Sequence, residues 1–473
     1  MVASMKRVRS MVAGKQAGAD GAGNLGRSLI DIAMLYASKA GAVIVGVLIL
    51  PQFNRLLGPE QFGVVAVIFS LQALLLILDF GMSTIVGRDI AADDSSRQAS
   101  VDIWRSAETV LNVAYAALGV VLISVASLMR VSLTLPQMLL TAVLLWALTQ
   151  QNVATSALLA KRRYLDTGII QLAGVLVRGV GTLAAMKIIG VSLDVFLISQ
   201  CVLALAQYLV SWVHCNKVLS IDGVVGRVTL EGCRRLFLRG KPLMLFGLAG
   251  AAVMQLDKPI VSTFMSPAEL GPYYLAMVLC LTPISTLAGP VMQFFQPRLV
   301  NAIHERDDVR AGQVLQRYAT IVVLATILPT GILWLFRGPL VQLWLLHGTG
   351  APQVIEYAGI LLPGIAIGAL GYVPYVLLVA HQDFRFQAVA STVMTVITLG
   401  LALAAASRSS MIGVCWVYAC YHSVSTLVSW TRCLVLARGD RTRYVERNAV
   451  WTALWVLVGG GAVIAVYALM HAV

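Results

Sequence analysis

The feature that most limits the fold of this chain is a series of about thirteen apolar runs, each near the roughly 20 residues that a helix needs to cross a bilayer. None of them alternates polar and apolar residues, as the strands of a lipid-facing barrel do. Charged residues make up only 12% of the chain, about half the roughly 25% of soluble domains. The sequence therefore predicts an all-α polytopic membrane protein. The predicted spans are 28–50, 62–87, 106–129, 137–160, 167–189, 192–213, 242–264, 269–297, 318–345, 357–380, 386–406, 410–437 and 449–471.

Lys and Arg residues are distributed unevenly over the segments between these spans. With the N-terminus on the cytoplasmic side, the inner segments hold 26 of them and the outer segments four. Cytoplasmic segments of membrane proteins are enriched in Lys and Arg. The split predicts a cytoplasmic N-terminus and, with thirteen spans, a C-terminus on the outer side. The same enrichment accounts for the net charge of +13, so no nucleic-acid partner is expected.

Signatures of catalysis and of bound cofactors are missing. Segment 21–28 fits the dinucleotide pattern G-x-G-x-x-G, but no strand precedes it to deliver the glycines to a phosphate, and we interpret it as a flexible tail. The seven cysteines contain no Cys-x-x-Cys, which disfavours a zinc site or a disulfide framework. The motifs H-E-x-x-H, G-x-S-x-G and D-x-D do not occur. We expect no enzymatic activity, no cofactor and no metal.

An internal repeat divides the spans into two sets of six. Pro59 and Gly63 match Pro267 and Gly271 at one offset of 208 residues, and each pair opens the second helix of its set. Two sets with the same orientation are related by an axis along the membrane normal, a known transporter arrangement. The predicted organisation is a basic cytoplasmic tail (1–27), an N-lobe (28–213), a cytoplasmic linker (214–241), a C-lobe (242–437) and a basic loop with an extra helix (438–473).

Cations inside the spans are candidate substrate contacts, because a charge in the bilayer core is costly and therefore marks function. Lys39 and Arg178 fall near the middle of predicted helices one and five, and Asp257-Lys258 lies in the outer half of helix seven. For Asp257-Lys258, an ion pair that only locks the packing is the alternative.

Carboxylates inside the spans are candidate sites for a coupling ion. Asp31 and Asp79 lie in the inner halves of predicted helices one and two, and a carboxylate in low dielectric can hold a proton near neutral pH. As alternatives, Asp31 could be a helix-end charge, and Asp79 could serve only to pair with Arg88. We interpret Glu108 as a structural charge at the N-terminal end of helix three.

Several motifs resemble the polysaccharide-biosynthesis flippase family, the Wzx-type exporters of O-antigen and exopolysaccharide. The resemblance covers roughly residues 28–437. The motifs that carry it are Leu48-Ile49-Leu50-Pro51 with Arg55-Leu56-Leu57-Gly58-Pro59-Glu60-Gln61-Phe62-Gly63; Leu78-Asp79-Phe80-Gly81-Met82-Ser83 followed by Arg88; Gln255-Leu256-Asp257-Lys258-Pro259-Ile260; and Gly271-Pro272-Tyr273-Tyr274-Leu275-Ala276.

This resemblance implies a two-lobed, alternating-access transporter of a bacterial inner membrane. Its implied substrate is an undecaprenyl-pyrophosphate-linked oligosaccharide, and its implied partners besides membrane lipids are a polysaccharide polymerase and a chain-length regulator. Lys39, Arg178 and Lys258 would then face the pyrophosphate, with Asp257 orienting Lys258. The family typically has twelve or fourteen helices, so thirteen is a departure, and Pro259 is an unusual residue that could kink helix seven. A drug/cation antiporter of the same superfamily and a membrane glycosyltransferase or polymerase are the alternatives.

Overall fold

The computed structural model describes residues 43, 46–77, 79–91, 97–128, 133–219, 226–346, 348, 350–439 and 443–472. Asp31, Lys39 and the glycine-rich segment 21–28 lie outside these ranges. The described residues form sixteen α-helices and no strand, so the predicted all-α class is confirmed. The helices are α1 (Leu50–Ile77), α2 (Met82–Ala91), α3 (Arg97–Leu128), α4 (Leu135–Ala160), α5 (Tyr164–Ile189), α6 (Leu193–Leu219), α7 (Leu230–Gln255), α8 (Asp257–Val261), α9 (Pro267–His304), α10 (Asp308–Leu335), α11 (Arg337–Trp344), α12 (Ala351–Leu370), α13 (Tyr372–Ala380), α14 (Phe384–Ala406), α15 (Met411–Gly439) and α16 (Arg443–Ala472).

Nine helical segments of the described chain are long and apolar enough to cross a membrane. Each overlaps one of the thirteen predicted spans. Of the other four, span 28–50 lies almost wholly outside the described residues, and the remaining three fall on α3, α4 and α7–α8. Large apolar side chains stay exposed on these helices; Leu457 is 72% exposed and Val396 66%. Lipid is the solvent that suits such surfaces.

The chain divides into two compact units. Of the described residues, unit 1 holds residue 43 and those within 79–189 and 194–241, and unit 2 holds those within 46–77, 190–193 and 242–472. Helix α1 therefore belongs to unit 2, and the described part of the predicted linker to unit 1. The predicted lobes stay a prediction.

In unit 1, α4 packs against both α2 and α3. Two long side chains of α6 reach glycines of α5. The amide of Gln207 lies against Gly174 and the Leu203 side chain against Gly181, so a Cβ on either glycine would force that side chain to move.

In unit 2, α9 is the central helix and contacts α1, α10, α12 and α13. Helix α12 packs on α15, and α16 packs on α10. One buried apolar cluster lies where α9, α10, α13, α15 and α16 meet, with Tyr318 and Leu377 among its members. The Tyr318 ring stacks on Phe295 with 5.4 Å between the ring centroids.

The first two predicted spans need correction at residues 51–61 and 78–81. The predicted loop 51–61 is helical on both sides of a kink at Gly58, whose backbone (φ 72, ψ 171) only glycine adopts readily. The predicted span 62–87 is interrupted, because α1 ends at Ile77 and α2 begins at Met82. Phe80 and Gly81 have positive φ values of 55° and 70° in the turn between them.

Predicted helix seven is also discontinuous. Helix α7 begins at Leu230, well inside the predicted linker, and ends at Gln255. The short helix α8 follows at Asp257. The break has a direct cause in Pro259, which has no N–H to donate to the carbonyl of Gln255 and whose ring would clash with that carbonyl in a continuous helix.

Candidate functional site

A buried ion pair lies at the break between α7 and α8, in unit 2. Lys258 Nζ is 2.9 Å from Asp257 Oδ2, and the two side chains are 4% and 0% exposed. The Tyr273 hydroxyl donates to the same carboxylate oxygen at 2.7 Å. Lys258 Nζ also donates to the carbonyl of Met254 at 3.1 Å. The structure thus brings together three residues that the sequence motifs singled out.

The two charges of this ion pair are buried together, and each compensates the other. The Lys258 ammonium lies 5.8 Å from the centroid of the Tyr273 ring, a cation–π distance. Asp257 Oδ1 is buried without a hydrogen-bond partner among the described residues. A charge buried without its partner is strongly destabilising. The geometry therefore fits the alternative of an ion pair that locks the packing at the helix break.

Arg178 is the other sequence-predicted cation that the structure describes, on α5 of unit 1. Its Nη1 atom is buried and has no hydrogen-bond partner among the described residues. A guanidinium carries five N–H donors in a fork that matches a phosphate. Buried donors are nearly always paired in proteins. An anionic ligand would supply the missing partner of Nη1.

Asp79 belongs to unit 1, lies in the turn that precedes α2 and is 3% exposed. Its Oδ1 accepts the N–H of Gly81 at 2.9 Å, and its Oδ2 accepts the N–H of Ser83 at 3.0 Å. Its own carbonyl accepts the N–H of Met82. Asp79 therefore satisfies the free N–H groups at the start of α2, as an N-terminal cap does.

Arg88 does not pair with Asp79, so that alternative is wrong. The Arg88 side chain is 60% exposed, and its Nε contacts Asp89 Oδ1 at 2.8 Å. Asp89 also contacts Arg239 of α7 at 2.9 Å. Both carboxylate oxygens of Asp79 accept capping bonds, and Arg88 bonds to its neighbour Asp89 instead.

A second buried carboxylate, Glu108, lies in unit 1 and was misread from the sequence. Helix α3 begins at Arg97, so Glu108 lies three turns inside the helix and not at its N-terminal end. Its Oε2 accepts a bond from Arg105 at 3.0 Å, and its Oε1 accepts one from the Tyr208 hydroxyl at 3.2 Å. Arg105 also lies 5.2 Å from the centroid of the Trp212 ring.

The network continues from Glu108 across to α4. Gln150 Nε2 donates to the carbonyl of Glu108 at 3.2 Å and to Asn112 Oδ1 at 2.7 Å. Trp146 Nε1 donates to the same Asn112 oxygen at 2.9 Å. The pairs Glu108/Asn112, Trp146/Gln150 and Tyr208/Trp212 each have a spacing of four residues, which puts both members on one helix face. That spacing is a sequence signal of a shared helix face, although it does not name the partner helix.

Metal-binding groups do not gather in the described part of the chain, where no three His, Cys, Asp or Glu side chains cluster. The buried groups described above can instead orient helices, pair with an anion or exchange a proton.

The membrane-length helices and the charged groups buried among them define a polytopic membrane protein. The structure is similar to the lipid II flippase MurJ in an inward closed conformation (TM-score 0.69, 13% identity, 93% of this chain and 97% of that chain covered). It is also similar to an inward-facing multidrug resistance MATE family transporter of the MOP superfamily (0.64, 14%, 87% and 95%). A third similar structure is a MOP superfamily transporter from Pyrococcus furiosus (0.56, 15%, 88% and 96%).

The family model for polysaccharide biosynthesis proteins matches residues 53–348, most of the chain. The chain belongs to this family. The resemblance inferred from the Gly58-Pro59 and Asp257-Lys258 motifs is confirmed. No individually curated protein matches the sequence.

Proposed function

We propose that this protein flips an undecaprenyl-pyrophosphate-linked oligosaccharide across the bacterial inner membrane, by alternating access, for surface polysaccharide biosynthesis. The observation that carries the proposal is the coincidence of two findings in one chain. The chain belongs to a polysaccharide biosynthesis family, and its fold is that of a lipid II flippase over 93% of its length. The absence of enzyme motifs from the sequence also fits a transporter.

Arg178 is the described cation that best suits the pyrophosphate. The substrate's negative charge has to cross a low-dielectric region, and compensating cations lower that cost. Arg178 has a buried, unpartnered Nη1, whereas Lys258 is neutralised by Asp257. We therefore assign the pyrophosphate contact to Arg178 together with Lys39, and the anchoring of α8 to Asp257 and Lys258.

The second candidate is a drug/cation antiporter, which the shared fold with MATE transporters favours. A cationic drug would be expected to bind a carboxylate whose oxygens are free to contact it. The two buried carboxylates of unit 1 are both engaged, Asp79 by backbone N–H groups and Glu108 by Arg105 and Tyr208. The charge pattern of the described residues thus supports an anionic substrate.

The proposal extends to the membrane and to partners. The N-terminus lies in the cytoplasm, Asp31 is the candidate coupling-ion site because Asp79 serves as the cap of α2, and a polysaccharide polymerase and a chain-length regulator receive the flipped product. No cofactor takes part in this scheme.

Export by Arg178 variants tests the proposed function. In a strain that lacks the gene, wild-type protein restores surface polysaccharide, and Arg178→Ala does not, although it reaches wild-type levels on an immunoblot. Arg178→Lys restores export partly, because an ammonium cannot reproduce the two-pronged contact of a guanidinium. Lys187→Ala is the matched control, since Lys187 is an exposed cation on the same helix.

Two results would contradict this proposal. Export at the wild-type level by Arg178→Ala would contradict the assignment of the pyrophosphate contact to Arg178. In proteoliposomes, transport of a fluorescent cationic drug without movement of the lipid-linked saccharide would favour the antiporter.

The orientation is tested at the two ends of α14. The turn before it, at residues 381–383, is predicted to be cytoplasmic, and the turn after it, at residues 407–410, is predicted to be outside. Alkaline phosphatase inserted after Gln382 should be inactive, and the same enzyme inserted after Ser409 should be active. The reverse pattern would invert the predicted topology.

A further inference from the structure

A cleft lined by tyrosines and hydroxyl groups lies in unit 2, between α13 and α15. It consists of two neighbouring cavities of about 390 and 580 Å³, which share Tyr375, Tyr421, Ser425 and Ser429. Tyr372 and His422 also line the smaller cavity. We call these six residues the tyrosine cleft. Both volumes lie within the range of roughly 300–1,000 Å³ that is typical of ligand sites.

Local packing holds the cleft open in a defined shape. The His422 ring lies against Gly368 of α12, where a Cβ would approach its Nδ1 to 2.7 Å. Thr426 donates to the carbonyl of Ile367 at 3.1 Å and so ties α15 to α12. The Tyr421 and His422 rings meet edge to face with centroids 5.2 Å apart. These contacts fix the Tyr421 and His422 rings before any ligand arrives.

One polar atom of the cleft has no partner. His422 Nε2 is buried and makes no hydrogen bond to the described residues. Buried polar side-chain atoms are nearly always hydrogen-bonded, so an exception calls for a ligand or water. Ser429 donates its proton to the carbonyl of Ser425 at 2.9 Å, which leaves the lone pairs of its hydroxyl oxygen free to accept a bond.

The lining excludes several kinds of ligand. No Asp, Glu, Lys or Arg lines either cavity among the described residues, so an ionic headgroup would find no opposite charge. A hydrocarbon tail would offer no hydrogen bond to the buried Nε2 of His422. A third cavity of about 450 Å³ in unit 2 shows the contrast, since Leu, Val and Trp side chains line it with Gln52 as the only polar member.

We propose that the tyrosine cleft binds neutral sugar rings of the transported saccharide. A pyranose ring offers an apolar face of C–H groups for stacking on a tyrosine ring and a rim of hydroxyls for hydrogen bonds to serine and histidine. This inference rests on the proposed function, because it names the part of unit 2 that distinguishes a saccharide-bearing lipid from a bare one.

The test compares two lipids on the purified full-length protein. The first probe is the polyprenyl-pyrophosphate-linked saccharide extracted from cells that make the polysaccharide, and the second is undecaprenyl pyrophosphate. Wild-type protein should bind the first about tenfold more tightly, as measured by native mass spectrometry. The double variant Tyr375→Ala/Tyr421→Ala should lose about five- to tenfold in affinity for the saccharide lipid and keep its affinity for the bare lipid.

Two further variants guard against misfolding. Tyr421→Phe keeps the stacking ring and should retain most of the preference. Trp416→Ala removes an aromatic side chain from the same helix, where it is 56% exposed and outside the cleft, and should behave as wild type. Each variant is checked for a wild-type melting temperature without lipid.

The remaining outcomes separate the inference from the proposed function. A double variant that keeps the preference overturns the sugar site alone. An equal loss for both lipids also overturns it and places the prenyl chain or the pyrophosphate in the cleft. Wild-type protein that binds neither lipid overturns the proposed function, and with it the sugar site.

Discussion

Gly63 of α1 lies directly against the backbone carbonyl of Pro267 at the start of α9, so close that a side chain at Gly63 would overlap it. The reciprocal contact is looser; a Cβ on Gly271 would come within 3.1 Å of the Phe62 ring and 3.7 Å of the Pro59 carbonyl. The two copies of the sequence repeat therefore pack on each other within unit 2. Their glycines match because both helices need room at one crossing.

Gly63→Ala should lower the stability of unit 2. The added methyl group has to displace the backbone of α9, and such overpacking costs about 1–3 kcal/mol. Thermal unfolding of purified protein in one detergent measures the effect as a lower melting temperature. Gly289→Ala on α9 is the matched control, because nothing lies within 4 Å of its Cβ position. Equal melting temperatures for the two variants would show that α1 and α9 do not cross at this point.

The Asp257–Lys258 pair should behave as a structural unit. Lys258→Met leaves a fully buried carboxylate with only the Tyr273 hydroxyl as a partner, and breaking a buried pair costs about 3–5 kcal/mol. Asp257→Asn/Lys258→Met should recover most of the lost stability, since it buries no charge. The measurement is a double-mutant cycle, in which the melting temperature and the polysaccharide export of both single variants and the double variant are compared with wild type. A Lys258→Met protein that has the wild-type melting temperature and fails to export would instead assign Lys258 to the substrate site.

Asp79 should act mainly as the cap of α2. Asp79→Asn retains one acceptor oxygen for the two N–H groups of Gly81 and Ser83, so we expect a loss of about 0.5–2 kcal/mol and less folded protein in the membrane. The molecules that fold should still respond to the ion gradient. This is measured as saccharide transport per molecule before and after the gradient is collapsed and restored. Normal accumulation with loss of that response would instead assign ion coupling to Asp79.

The apolar runs predicted the helical class and the positions of most spans, because burial in lipid requires long uninterrupted apolar segments with their backbone bonds satisfied. They could not place the turn at 79–81. Hydropathy stays high through that turn, and the break depends on the positive φ of Gly81 and on capping by Asp79. The start of α3 at Arg97 was missed for a related reason, since backbone hydrogen bonds continue a helix beyond its apolar part.

The repeat and the Asp257-Lys258 motif were visible because each lies in a short stretch of sequence. The Glu108 network and the tyrosine cleft were not, because each draws side chains from several helices. Which faces of those helices meet depends on packing, and the four-residue spacing of Trp146/Gln150 or Ser425/Ser429 indicates a shared face without naming the partner helix.

The Glu108 network gives the last prediction, which concerns the stability of unit 1. Glu108→Ala removes the acceptor for both Arg105 and Tyr208, so it should cost about 2–3 kcal/mol. Tyr208→Phe breaks one bond to the same carboxylate and should cost about 1 kcal/mol.

Glu231→Gln is the matched control, because its ion pair with Arg235 is largely exposed and such pairs contribute little. Denaturation of the purified proteins should rank Glu108→Ala as the least stable, followed by Tyr208→Phe and then by Glu231→Gln with the stability of wild type. Because the effect of Glu108→Ala includes an unpaired Arg105, Arg105→Ala/Glu108→Ala should be more stable than Glu108→Ala alone. A Glu108→Ala protein as stable as the Glu231→Gln control would show that the network does not hold α3, α4 and α6 together.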